Sequence, residues 1–187
     1  MKKYLLSIMM AVVALSSCAG NSSRSEESGV RSENTPTTDI STDSSLQTTD
    51  SSSDLAPDFT LNDLSGKSLT LSSLRGKYVI LDFWGSWCVW CIKGFPQMKE
   101  YYQKYAGKFE ILGIDCNDPE AKWKAAVEKY ELPWLHVYCP RDSKVLDMYE
   151  IQGFPTKIIV GPDGKIVKTI IGEDPAFYTF LDELFKK

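Results

Sequence analysis

The sequence predicts an α/β sandwich with a mixed sheet, and three observations carry that expectation. KYVILDFW at 77–84 and FEILGID at 109–115 are apolar runs rich in β-branched and aromatic residues, the pattern of strands buried on both faces. A helical pattern follows each run, and strands that alternate with helices pair in parallel. The chain then closes with a hairpin pattern and one more helix, which adds antiparallel strands to the parallel set.

The first element lies in DFTLNDLSGKSLTLSSL, where alternation on both sides of Ser65-Gly66 predicts a β-hairpin over 58–71. The first buried strand follows at 77–84. A helix is expected from Val89 to Tyr105; Pro96 lies inside it, removes a backbone donor and should kink it. After the strand at 109–115, Asp118 is placed to cap a helix with Pro119 at its first position, running to Glu131. PWLHVYC reads as a short strand and SKVLDMYE as a short helix. TKIIV, GPDGK and IVKTIIG make a second hairpin over 156–172. DPAFYTFLDELFKK is the closing helix, with Asp174 as cap and lysines at the end that the helix dipole favours. No internal repeat is visible. Right-handed crossovers bring the two parallel strands into one sheet, so both end at the same edge, where α/β domains place their sites.

The segment before this domain has a different character. It opens with Lys2 and Lys3, continues as an apolar run from Tyr4 to Leu15 and ends in small residues. That is the layout of a secretory signal peptide, here 1–17, and the run is too short for a membrane-spanning helix. LSSC, Leu15 to Cys18, resembles the bacterial lipobox, which implies that Cys18 is lipidated and becomes the mature N-terminus. The other reading is an ordinary signal peptide with an incidental cysteine. A diacylglyceryl anchor, at roughly 0.8 kcal/mol per buried CH₂, would hold the protein stably at a membrane. Residues 18–54 are dominated by Ser, Thr, Asp and Glu and contain no aromatic. They cannot bury enough surface to offset their ordering entropy and read as a flexible tether. The expected location is the periplasmic side of a bacterial membrane. Nucleic acid is not an expected partner: the formal net charge is −4, and no Lys/Arg stripe is interleaved with aromatics.

With Cys18 assigned to the lipid, four of the five cysteines fall in the domain: Cys88, Cys91, Cys116 and Cys139. Cys88 and Cys91 stand in LDFWGSWCVWC, where a strand ends and a helix begins. A thiolate there is stabilised by the helix dipole and by unpaired N–H groups. A structural staple between residues three apart closes almost no loop and adds little stability. A zinc site needs four convergent ligands, and the other candidates, Cys116, Cys139 and the single histidine His136, stand in no second CxxC or CxxH. No metal and no other cofactor is expected. The chemistry that fits is thiol–disulfide exchange: Cys88 attacks, a mixed disulfide forms, and Cys91 resolves it.

LDFWGSWCVWC, Pro96 five residues after Cys91, IQGFPT and Gly172 resemble the thioredoxin superfamily throughout 55–187. The N-terminal hairpin, the PDGK turn and the segment inserted between ILGID and GFPT resemble its membrane-tethered TlpA/ResA branch. The resemblance implies a thioredoxin-like sandwich, a central mixed β-sheet flanked by helices, with the hairpin as an N-terminal extension. It implies an exported thiol–disulfide oxidoreductase acting on extracytoplasmic protein thiols and disulfides and supplied by a membrane electron donor. By position, Pro155 is the cis-proline facing the CxxC, Phe154 pairs its backbone with an extended substrate, and Trp87 covers the active-site surface. Asp82 matches the buried acid beneath the second cysteine. A carboxyl in an apolar strand has a raised pKa and can take the Cys91 proton; a structural, backbone-bonded Asp82 is the other reading.

Some positions depart from the branch. Gly94 stands where cytochrome-maturation members carry a Glu, and the lysine opposite the buried acid is missing from the matching strand position, Ile111. Gly85 occupies the place where a peroxiredoxin has Thr or Ser. Val89-Trp90 replaces the Gly-Pro of common reductases, and that pair tunes thiolate stability. A reductase is the favoured reading, with an oxidase or isomerase as the alternative. A non-catalytic tethered module binding through the Trp87–Phe154 surface is the rival outside enzymes. Cys116 and Cys139 each follow a predicted strand; they form a second disulfide at the active edge or stay as two semi-buried thiols.

Overall fold

The computed structural model describes residues 54–186, so the expected signal peptide over 1–17, the expected lipidation site Cys18 and the expected tether up to residue 53 lie outside the described residues. Its strands are β1 (Thr60–Asp63), β2 (Ser68–Thr70), β3 (Tyr78–Trp84), β4 (Phe109–Cys116), β5 (Leu135–Cys139), β6 (Thr156–Val160) and β7 (Ile166–Ile171). The helices are α1 (Val89–Lys104), α2 (Glu120–Lys129), α3 (Val145–Met148) and α4 (Ala176–Phe185). All seven strands join one sheet in the order β2-β1-β5-β4-β3-β6-β7. The β3, β4 and β5 strands run parallel, while β6 is antiparallel to β3, β7 to β6, β1 to β5 and β2 to β1. The predicted mixed sheet is the observed one, and the first hairpin extends its β5 edge.

Both faces of the sheet are covered, which is why β3 and β4 show no alternation in sequence. The alternation is present in the packing. Ile80 and Trp84 share a core with Cys88, Cys91 and Phe95 of α1, Trp123 of α2 and Phe177 and Leu181 of α4. Leu81 and Phe83 point the other way, into a core with Leu112, Ile114, Val137, Tyr149 and Phe59. The path β3-α1-β4-α2-β5 moves in one direction across the sheet, so two right-handed crossovers set α1 and α2 on the same face. Asp82 has the parity of Ile80 and Trp84 and therefore points to the α1 face.

The helix after β4 differs from the expectation. Asp118 does not cap α2, whose N-cap position is Pro119 without a side-chain cap. The Asp118 carboxylate accepts instead from Ser86 N at 2.6 Å and Ser86 Oγ at 2.8 Å. Two charge-assisted hydrogen bonds to a distant loop outcompete one local cap. The helix also ends at Lys129 rather than Glu131, which has φ 47° and breaks the helical conformation. At the closing helix Asp174 does take a free N–H, that of Ala176 at 2.8 Å. Pro96 lies within α1 without ending it.

Candidate active site

Between the end of β3 and the start of α1 the chain turns through Gly85, Ser86, Trp87 and Cys88. The turn is fastened from two sides. Ser86 is held by Asp118, and Trp87 Nε1 donates to the Cys116 carbonyl at 3.0 Å. An added Cβ at Gly85 would collide with the Trp87 indole, so the glycine is required by the close approach of that ring. Trp87 is 49% exposed and stands edge-on to Phe154, with ring centroids 5.1 Å apart.

Cys88 is the N-cap of α1, with extended backbone (φ −85°, ψ 98°), and its sulfur accepts from Cys91 N at 3.1 Å. That is the seat of an N-cap oxygen in an ordinary helix. The free N–H groups of the first turn and the positive end of the dipole therefore act on Sγ of Cys88. Cys91 lies one turn further in, and the two sulfurs are joined in a disulfide. Around this pair, Trp87, Val89 and Trp90 are exposed apolar side chains. A groove of about 300 Å³ runs beside it, lined by Trp90, Phe154, Gly172 and Glu173. The Phe154–Pro155 peptide is cis, and the Pro155 carbonyl accepts from Gly172 N at 2.7 Å.

On the face of β3 that also carries Ile80 and Trp84, Asp82 is buried, and its Oδ1 has no hydrogen-bond partner among the described residues. Burial pushes its pKa up to about 6; Lys157 opposes the rise and Glu173 adds to it. The lysine thought missing from Ile111 is thus supplied from another strand. Ile111 faces Ile80, whereas Asp82 is flanked by Gly113 on β4 and by Lys157 on β6. Lys157 is buried and pairs with Glu173 at 2.8 Å. Gly94 also has a local reason: a Cβ there would collide with the Glu173 carboxylate. Sequence reasoning missed both Lys157 and Glu173. The one available signal was a lysine inside the otherwise apolar TKIIV run.

Cys116 and Cys139 are direct register partners on β4 and β5, both fully buried rather than semi-buried, and both are free thiols. They end strands at the active edge but face the layer away from α1. The adjacent Cys139 thiol and burial push the Cys116 pKa up, while the adjacent Cys116 thiol draws that of Cys139 down; the Cys116 thiol donates to the Ile114 carbonyl at 3.4 Å. His136 sits on the opposite, α1-facing side against Trp84 and Trp134, and burial lowers its pKa to about 4. Among the described residues no three metal-capable side chains converge.

Residues 53–169 match the AhpC/TSA family. The chain belongs to that family, within the thioredoxin superfamily. Over 119 residues it is 40% identical to the thiol–disulfide oxidoreductase ResA of Bacillus cereus (strain ZK / E33L), a match covering 63% of this chain and 68% of the relative. Among solved structures it is similar to the thioredoxin domain of a thiol–disulfide oxidoreductase from Bacteroides vulgatus. That likeness has 35% identity and a TM-score of 0.65, and covers 70% of this chain and 95% of the other. A thiol:disulfide interchange protein from Bacteroides sp. is similar at 36% identity and a TM-score of 0.64, covering 72% of this chain and 90% of its own. With a bonded CxxC at the start of α1, this family member is likewise a thiol–disulfide oxidoreductase.

Proposed function

We propose that the protein reduces disulfides of extracytoplasmic polypeptides through a Cys88–Cys91 dithiol cycle, while a lipid on Cys18 holds it at the periplasmic side of a bacterial membrane. The observation that carries the catalytic reading is the sulfur of Cys88 at the N-cap of α1, with Cys91 N directed at it. In the reduced protein the Cys88 thiolate attacks one sulfur of a substrate disulfide. A mixed disulfide forms, and the other substrate sulfur leaves as a thiolate. Cys91 then gives its proton to the Asp82 carboxylate as its sulfur bonds to Cys88 Sγ, and the second substrate thiolate leaves. Two electrons have passed to the substrate, and a membrane donor restores the dithiol.

Trp87 and the Phe154 backbone before cis-Pro155 receive the substrate as an extended segment, and the exposed Val89 and Trp90 widen the apolar contact. A peroxidase reading is disfavoured, since a Thr or Ser at Gly85 would displace Trp87. The signal-peptide layout, LSSC and the tether composition support the anchored location; no described helix is long and apolar enough to cross a membrane. We place Cys116 and Cys139 outside the cycle, as a buried dithiol behind the sheet. In the oxidised protein, native alkylation is expected to miss both and alkylation after denaturation to label both by mass. If neither is labelled after denaturation, they form a second bridge.

The test of the function is turnover of insulin disulfides with dithiothreitol as reductant. Acceleration by the protein, lost in the Cys88→Ser, Cys91→Ser double variant, is the expected result. A protein that binds the substrate equally well with and without the cysteines, and never accelerates its reduction, is a binding module instead.

A further inference from the structure

Lys157 and Glu173 are two buried or half-buried charges that the dithiol cycle does not itself use. They sit on the side of the sheet that carries the disulfide. Lys157 is the direct cross-strand partner of Asp82 in the antiparallel β3–β6 pair, so both side chains leave the same face. The Lys157 side chain is 1% exposed, and its ammonium bonds Glu173 Oε2 at 2.8 Å rather than Asp82. Glu173 precedes α4, and its other oxygen, Oε1, accepts from Tyr178 OH at 2.9 Å. The same carboxylate fills the space beside Gly94, one helical turn beyond Cys91, and lines the groove with Trp90 and Phe154. A chain of ionisable groups thus runs from the buried Asp82 through Lys157 to a carboxylate at the solvent groove.

We propose that Lys157 and Glu173 are positioning residues that set the proton affinity of Asp82, with Glu173 seated by the absence of a side chain at Gly94. Asp82 shares its site with one cation and one anion. An unneutralised Lys157 would hold Asp82 ionised at low pH, and it could no longer take a proton from Cys91. Glu173 cancels part of that field, leaving Asp82 able to alternate between its two forms near neutrality. The titratable groups acting on Asp82 are Lys157 on β6, Glu173 before α4 and Tyr178 on α4, with Cys91 of α1 on the same side of the sheet and titratable only once the disulfide is reduced. On β4 its direct neighbour is Gly113; Cys116 faces the other layer, though the Asp82 charge still acts on it and helps hold its thiol protonated.

This inference rests on the reading of Asp82 as proton acceptor, and the experiment separates the two. The carboxyl resonance of Asp82 is followed by ¹³C NMR against pH in the oxidised protein, alongside the pH profile of kcat/KM for insulin reduction. Glu173→Gln removes the anion and Gly94→Ala unseats it; each is expected to lower the Asp82 midpoint by about one pH unit. Lys157→Met keeps the stem, removes the cation and is expected to raise the midpoint by about one unit. The acid limb of kcat/KM should move with each midpoint. An Asp82 midpoint that stays put in Glu173→Gln, or moves the same way in Glu173→Gln and Lys157→Met, overturns the inference. Midpoints that move in opposite directions while the rate profile does not follow uphold it and remove Asp82 from the reaction instead.

Discussion

Cys88→Ser is expected to lower insulin reduction at pH 7 by about 10³-fold or more while leaving the fold intact. The size follows from chemistry, because a serine hydroxyl at the N-cap accepts the same Cys91 N–H but is no nucleophile toward a disulfide. The fold should survive because the bridge spans residues three apart and constrains almost no chain. Cys91→Ser should behave differently. Attack by Cys88 still occurs, but the product stalls as a mixed disulfide, visible by mass as the substrate thiol added to Cys88. Insulin turnover and intact mass on the two variants check this together. An adduct that forms in Cys88→Ser and not in Cys91→Ser would exchange the two roles.

The second large effect belongs to Asp82→Asn. At pH 7 the variant should reduce insulin about 10²-fold more slowly, the low end of what a positioned base contributes. The deficit should shrink towards pH 9, where Cys91 loses its proton to solvent unaided. A rate equal to that of the unaltered protein at every pH would leave Asp82 a structural residue. Stability moves the other way. The folded pKa of Asp82 is raised from 3.8 to about 6 by burial. Between those values the unfolded chain has released a proton that the folded protein keeps, so rising pH favours unfolding. This contribution to stability is complete below pH 3.8 and lost as pH rises through about 6. The loss, between a pH below 3.8 and pH 7, amounts to about 3 kcal/mol. Asp82→Asn should therefore be the more stable protein at pH 7 relative to pH 4, by up to about that amount in urea denaturation. Asp115, raised to about 9 by burial, and His136, lowered to about 4, contribute to both proteins alike, so the difference isolates Asp82.

What was legible in the sequence was mostly local. The turn from Trp84 to Cys91 is contiguous, so its strand end, helix start and reactive pair could be placed without knowing the rest of the sheet. The buried strands and both hairpins were legible for the same reason, since apolar runs and turn residues act over a few positions. What escaped depends on long-range register. Lys157 meets Asp82 only because β6 returns antiparallel beside β3, and TKIIV does not reveal which strand it will join. Glu173 reaches the site from the turn after β7, and its effect on position 94 is purely spatial. Asp118 followed by Pro119 is a sound local helix-cap signal, yet Ser86 captured it from 32 residues away. Cys116 was placed at the correct edge, but its parity with Leu112 and Ile114 turns it to the opposite core. Local patterns specify elements; the partners of a charged side chain are specified by the sheet.

The central claim, that this chain donates electrons to disulfides, is tested most directly by a redox titration of Cys88 and Cys91. Thiol labelling at pH 7 would be read in dithiothreitol and glutathione buffers. A two-electron midpoint near the roughly −270 mV of thioredoxin is the expected result and marks a reductase that needs a membrane supply of electrons. A midpoint near about −120 mV, the value of a strong disulfide donor, would contradict the account and reverse the direction of its chemistry.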